Sequence, residues 1–256
     1  MRKRISKKMK VVYILIFLLA LLSYKFVDVW SLKSNEAVKT DQQSEILRGK
    51  IPYPLAYSVF VPASAYILQK ILKPLAGKQA RSFIYSYNLI IFIAFLLVYI
   101  VLYFFLRMFF SEITSITGLF LFLTIVPLSL NGVWPEIEVI NFLYYILGFL
   151  CMFKSKDIFL PLIFAAGMLN DFSIIFLIVF YIVYKATQQK LLTKKSFTVV
   201  LLSVISIIIV FTALTWKFGF QGENIIRISE NFDNIYSIFE LWFTETIVFI
   251  VLSIMA

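Results

Sequence analysis

Residues 83–107 read FIYSYNLIIFIAFLLVYIVLYFFLR, and this stretch decides the fold class. It contains no charged side chain before Arg107. An α-helix rises about 1.5 Å per residue, so about 20 apolar residues cross the roughly 30 Å thick hydrocarbon core of a bilayer. The stretch therefore predicts a helix that spans a membrane.

The composition of the whole chain supports the same conclusion. Of its 256 residues, 61% are hydrophobic and 15% are charged, whereas soluble domains carry roughly 25% charged residues. The net charge of +10 does not predict nucleic-acid binding, because the lysines and arginines lie in short runs between apolar segments, as in membrane proteins. The absence of histidine excludes a histidine-based catalytic triad and argues against zinc, and the single Cys151 excludes an internal disulfide.

Similar apolar stretches recur along the chain and predict an all-α, polytopic transmembrane bundle that forms one domain over residues 1–256. The predicted spans are 11–30, 83–107, 113–130, 137–153, 197–216 and 236–256. The last one runs to the final residue with no polar tail, which is what a truncated or unusually short relative of a longer protein would show.

Residues 157–184 form a further apolar stretch with Asn170 and Asp171 at its middle. A single tilted helix would place this carboxylate in hydrocarbon, at a cost of several kcal/mol. With the N-terminus in the cytoplasm, a single helix would also place the lysines that follow residue 184 on the outer side of the membrane. Lys and Arg tend to lie on the cytoplasmic side instead. We therefore favour a broken helical hairpin of two half-helices, 157–169 and 172–184, that turns at membrane depth against protein or a watery cavity.

The charge distribution predicts a cytoplasmic N-terminus, because six of the first ten residues are Lys or Arg. The segment 31–82 then forms a large outer loop. Its second half, 51–75, is apolar but interrupted by prolines, so we expect interfacial helices there rather than a span. The bias towards lysine, isoleucine and phenylalanine is typical of an AT-rich bacterial genome, so we expect a bacterial plasma membrane.

Within this loop, residues 41–54 read DQQSEILRGKIPYP. This run resembles a pattern of the GT-C superfamily of membrane glycosyltransferases, in which an acid precedes a short helix ending in glycine, followed by proline and tyrosine. The pair in Glu136-Ile-Glu138 is similar to a second acidic motif of some members. The 169–173 tip, LNDFS, resembles their broken helical segment.

The resemblance implies inverting transfer of a hexosyl or pentosyl group from a polyprenyl-phosphate donor on the outer face of the membrane. Asp41 would be the catalytic carboxylate that deprotonates, or hydrogen-bonds, the acceptor hydroxyl. The predicted substrate-binding residues are Arg48 and Lys50 for the donor phosphate, with Glu136, Glu138 and Asp171. Glu136 and Glu138 are also candidate ligands of a divalent cation.

The acidic residues among these candidates also have purely structural interpretations. Asp41 is also compatible with a solvated loop carboxylate, and Asp171 with an N-cap for the second half-helix. The acids at 136 and 138 also suit the first turn of a helix, where negative charge is favourable.

Other functions for the whole chain stay open. They are a polymerase or ligase of surface polysaccharide, a transporter component, and a non-enzymatic accessory subunit. The predicted outer segments contain few arginines, which argues against a polymerase. The predicted spans contain few charged residues, which argues against a transporter.

Overall fold

The computed structural model describes residues 7–28, 35–50, 55–76, 79–130, 132–189 and 193–218. Within these ranges all regular secondary structure is helical, as predicted. The predicted span 236–256 lies outside the described residues.

The described residues form nine α-helices and three single 3-10 turns. The α-helices are α1 (Lys7–Val27), α2 (Glu36–Leu47), α3 (Phe60–Ala76), α4 (Gln79–Leu106), α5 (Glu112–Ser129), α6 (Pro135–Phe153), α7 (Leu160–Met168), α8 (Phe176–Thr187) and α9 (Lys194–Phe218). The 3-10 turns cover Leu55–Tyr57, Asp157–Phe159 and Phe172–Ile175.

Four segments in the described part of the chain are long and apolar enough to cross a membrane. They are Met9–Val27, Arg81–Leu106, Pro135–Phe153 and Lys194–Phe218. These segments coincide with four of the predicted spans and confirm an all-helical chain with several helices of membrane-spanning length. The predicted span 113–130 falls on α5, whose apolar segment Glu112–Val126 is shorter.

The two stretches that the sequence singled out between these helices are helical too. Residues 157–184 form the shorter helices α7 and α8, separated by a turn at Leu169 and Asn170. The segment 31–82 contains α2 and α3. How either stretch lies relative to a membrane stays a prediction.

Helix α4 is central to the main hydrophobic core, where it packs against α1, α3 and α6. Ile91, Phe95 and Val98 of α4 are fully buried in this core. The hydroxyls of Ser23 and Tyr99 lie 2.7 Å apart and join α1 to α4 by a buried hydrogen bond. Many other large apolar side chains face outward, as expected of helices whose surroundings are lipid.

The bundle has two distinct ends. Helices α4 and α6 run in the same direction, because Tyr87 contacts Trp134 near their starts and Phe105 contacts Phe153 near their ends. The turn after α7 lies beside the start of α6, since the Asn170 amide donates to the Ile137 carbonyl at 2.9 Å. We call this the Glu136 end, and the opposite end, after Phe153, the Lys154 end.

The close contact of α6 with α8 at Gly148 gives a test of the packing. An added Cβ at Gly148 would lie 3.0 and 3.1 Å from Cδ1 and Cγ of the buried Leu177. Overpacking of this kind costs about 1–3 kcal/mol, more than the roughly 1 kcal/mol that alanine gains over glycine in a helix. We predict that Gly148→Ala lowers the thermal unfolding midpoint of the detergent-solubilised protein.

Gly118→Ala is the matched control. Its Cβ would approach one side-chain atom of the half-buried Leu106, at 2.8 Å, with the next atoms at 3.9 Å, so this side chain has room to turn aside. The control is expected to leave the midpoint unchanged or to raise it. Equal effects of the two substitutions would contradict the described packing of α6 against α8.

Candidate functional site

Helix α2 directs one stripe of side chains into the Glu136 end of the bundle. Lys39, Gln43 and Ile46 are spaced by four and three residues, and all three are buried. The helix ends at Leu47, with Arg48 as its C-cap, and the φ of Gly49 that follows is +68°, in the left-handed region. The Gly49 amide donates to the Ile46 carbonyl at 3.0 Å and the Lys50 amide to the Glu45 carbonyl at 2.8 Å, so these two carbonyls in the last turn of the helix are satisfied.

The strongest polar contact of this stripe is a buried ion pair between α2 and α6. Lys39 Nζ donates to Oε1 of Glu136 at 2.6 Å and to Oε2 at 2.8 Å. Lys39 is 1% exposed and Glu136 is 0% exposed. Burial lowers the pKa of Lys39, while the charge of Glu136 and the hydrogen bond to it act in the opposite direction.

Aromatic rings surround this ion pair. Lys39 Nζ lies 5.1 Å from the ring centroid of Tyr87 and 5.4 Å from that of Trp134, within the range of cation–π attraction. The indole NH of Trp134 donates to Oε1 of Gln42 at 3.0 Å, which adds a second polar link between α2 and the start of α6. The loop before α6 and helix α2 therefore form one packed unit.

A groove of about 620 Å³ lies beside α2, with walls from α2, α3 and the start of α4. Gln43 and Gln69 join two of the walls, because Nε2 of Gln69 donates to Oε1 of Gln43 at 3.1 Å. Nε2 of Gln43 in turn donates to the Pro62 carbonyl at 3.2 Å. The described residues that line the groove carry amide, hydroxyl, charged, aromatic and apolar side chains. They are Glu36, Thr40, Gln43, Ser44, Leu47, Arg48, Tyr66, Gln69 and Phe83.

The structure brings one predicted phosphate-binding residue, Arg48, into the wall of this groove. Asp41 is exposed, and since it follows Lys39 by two residues it lies about 160° from Lys39 around α2. Asp41 and Arg48 are seven residues apart, so they lie on the same side of α2 about 10 Å apart along its axis. Lys50 is exposed at the turn after Gly49.

Two charged residues of this site, Glu36 and Lys39, were not singled out by the sequence. Glu36 is half-buried and lines the groove, about 18 Å along α2 from Arg48. It also borders a second cavity of about 280 Å³ that Lys39 and Tyr87 line. Lys39 is the other missed residue, and the only signal for it was its place in the stripe with Gln43 and Ile46.

The remaining predicted site residues lie at the Glu136 end but are not among the described residues that line the groove. Both oxygens of Glu136 bind Lys39. Glu138 is exposed on α6. Asp171 is half-buried and caps the 3-10 turn after it, because its Oδ1 accepts from the Ser173 amide at 2.6 Å. In the described part of the chain, no group of three or more acidic or cysteine side chains is arranged to hold a metal ion.

No family model, no curated protein and no solved structure matches the chain. The site therefore has to be interpreted from its own side chains.

The capping bond of Asp171 generates a prediction that distinguishes the effect of the cap on stability from that of the carboxylate charge. Asparagine also caps helices well, whereas alanine costs about 1 kcal/mol at such positions. We predict that Asp171→Ala lowers the thermal unfolding midpoint and that Asp171→Asn keeps it within error of the unchanged protein. If Asp171→Asn is as destabilised as Asp171→Ala, the carboxylate charge, and not the cap, stabilises this turn.

Proposed function

We propose that this chain is an integral membrane glycosyltransferase that takes a sugar from a polyprenyl-phosphate donor. The observation that carries the proposal is the groove beside α2, which combines Arg48 with side chains that suit a sugar. The groove lies at the Glu136 end, beside the start of the apolar segment of α4, where a lipid-linked sugar would lie if its prenyl chain were in the bilayer.

The groove offers the chemistry that a sugar phosphate needs. The amides of Gln43 and Gln69 and the hydroxyls of Thr40 and Ser44 are suited to hydroxyl groups. The ring of Tyr66 offers an apolar face to a pyranose or furanose ring. The guanidinium of Arg48 supplies the planar, permanently charged donor group that binds phosphate well.

The proposed reaction is a single displacement. A carboxylate accepts the proton of the acceptor hydroxyl as its oxygen attacks the anomeric carbon, and the bond from that carbon to the phosphate oxygen breaks with its electron pair on the phosphate. Asp41 is the proposed base, since it lies on the same side of α2 as Arg48. Arg48, with Lys50 nearby, would neutralise the departing lipid phosphate.

The groove also contains Glu36, a second carboxylate that this reaction can use. Glu36 lines the groove, whereas Asp41 is exposed and is not among the described lining residues. Glu138 and Asp171 are proposed to contact the acceptor at the same end, where a divalent cation could assist them. In this proposal the Lys154 end faces the cytoplasm and the Glu136 end faces outward from a bacterial plasma membrane.

Native mass spectrometry of the protein, extracted gently from its own membranes, tests donor binding. We expect a bound polyprenyl phosphate or its sugar ester, and a roughly tenfold loss of that species in Arg48→Gln. A charged hydrogen bond is worth about 1.5–3 kcal/mol, which corresponds to this factor or more. Lys73→Gln is the matched control, because it removes one exposed positive charge from α3 outside the described groove wall.

Two outcomes would contradict donor binding at the groove. One is ordinary phospholipid only, when a known polyprenyl-dependent glycosyltransferase prepared in parallel retains its donor. The other is an equal loss of the donor in Arg48→Gln and Lys73→Gln.

The rate of sugar transfer from the donor identified in this way then distinguishes Asp41 from Glu36 as the general base. Loss of a general base lowers the rate by about 10²–10⁴. We expect this loss in Asp41→Asn, with bound donor retained, and a smaller change in Glu36→Gln. The reverse result would move the catalytic role to Glu36, and full transfer by both variants would contradict a carboxylate base on α2.

A further inference from the structure

The Lys154 end of the bundle carries a cluster of positive charges that the proposed glycosyl transfer does not use. Lys154 and Lys156 flank Ser155 in the turn after α6, and Lys195 lies in the first turn of α9. Lys195 Nζ donates to the Ser155 carbonyl at 3.4 Å, which brings residues 40 positions apart into one place. We call these three residues the lysine cluster.

The acidic group nearest in sequence to the cluster is neutralised inside the fold. Asp157 is 2% exposed, and its Oδ2 lies 2.7 Å from Nζ of the buried Lys185 on α8. Among the described residues, no acidic side chain forms an ion pair with Lys154, Lys156 or Lys195. All three side chains are exposed, so the cluster presents uncompensated positive charge on the surface.

Large exposed apolar side chains adjoin the same cluster. Ile158 is 58% exposed and Phe159 51%, and both lie in the 3-10 turn directly after Lys156. A free phosphate or a nucleotide would use the charges but not these apolar side chains. An amphiphile with an anionic head uses both.

We propose that the lysine cluster binds the headgroup of an anionic phospholipid, whose acyl chains lie along Ile158 and Phe159. The lysines supply the charge, each worth about a fivefold gain in affinity near a membrane surface. The apolar side chains keep the lipid beside the turn between α6 and α7 and the start of α9. The site is separate from the groove at the opposite end and does not depend on sugar transfer.

Lipid retention from vesicles of defined composition tests this proposal. The protein is reconstituted in equal parts of phosphatidylcholine and phosphatidylglycerol, extracted in mild detergent and examined by native mass spectrometry. We expect phosphatidylglycerol to be retained over phosphatidylcholine, and this preference to fall about fivefold or more in Lys154→Gln/Lys156→Gln. Lys154→Arg/Lys156→Arg keeps the charge and should keep the preference.

The double variant Lys70→Gln/Lys73→Gln is the matched control, since it removes two exposed positive charges from α3 at the Glu136 end. An unchanged preference in Lys154→Gln/Lys156→Gln, or an equal fall in the control, would overturn the proposal. If the glutamine variant fails to fold, loss of the preference in the folded arginine variant would overturn it as well.

Discussion

The buried contact of Lys39 with Glu136 is the interaction on which the rest of the Glu136 end depends. Two unit charges out of water are costly, and their attraction compensates only when the geometry is good and the remaining hydrogen-bonding groups are satisfied. Here the ammonium reaches both carboxylate oxygens, at 2.6 and 2.8 Å, and two aromatic rings face it. Removing one partner would leave an unpaired buried charge, so the two helices that carry them are held together strongly.

This contact matters for function because it sets the position of α2 above the bundle. With Lys39 turned inward, the opposite side of the helix, with Asp41, faces away from the bundle. The intermediate side, with Thr40 and Ser44, faces the groove that α3 and α4 complete, and Arg48 at the C-terminal end of the helix also lines it. A rotation of α2 by one residue, about 100°, would replace this whole lining. The ion pair and the groove are therefore two consequences of one helix orientation.

The fold was largely predictable from the sequence, whereas the site was predictable only in part. Residues 83–107 predict α4 because a long apolar run in lipid has few alternatives to a helix. The break at Asn170 was predictable because the carboxylate that follows it is costly in hydrocarbon. The buried position of Lys39 was not predictable, because a lysine in a polar helix is usually solvated and its partner Glu136 lies 97 residues away in the sequence. The groove also escaped prediction, because it depends on how α2 and α3 pack against α4.

A double-mutant cycle on Lys39 and Glu136 tests the account most directly, with unfolding in a fixed detergent as the readout. Lys39→Met and Glu136→Gln should each lower the free energy of unfolding by about 3–5 kcal/mol, because each leaves a charge or a polar group buried without its partner. The double variant should lose less than the sum of the single losses, by a coupling energy of about 1–3 kcal/mol. Small and additive losses would contradict the account, since they would show that this pair does not hold α2 to the bundle.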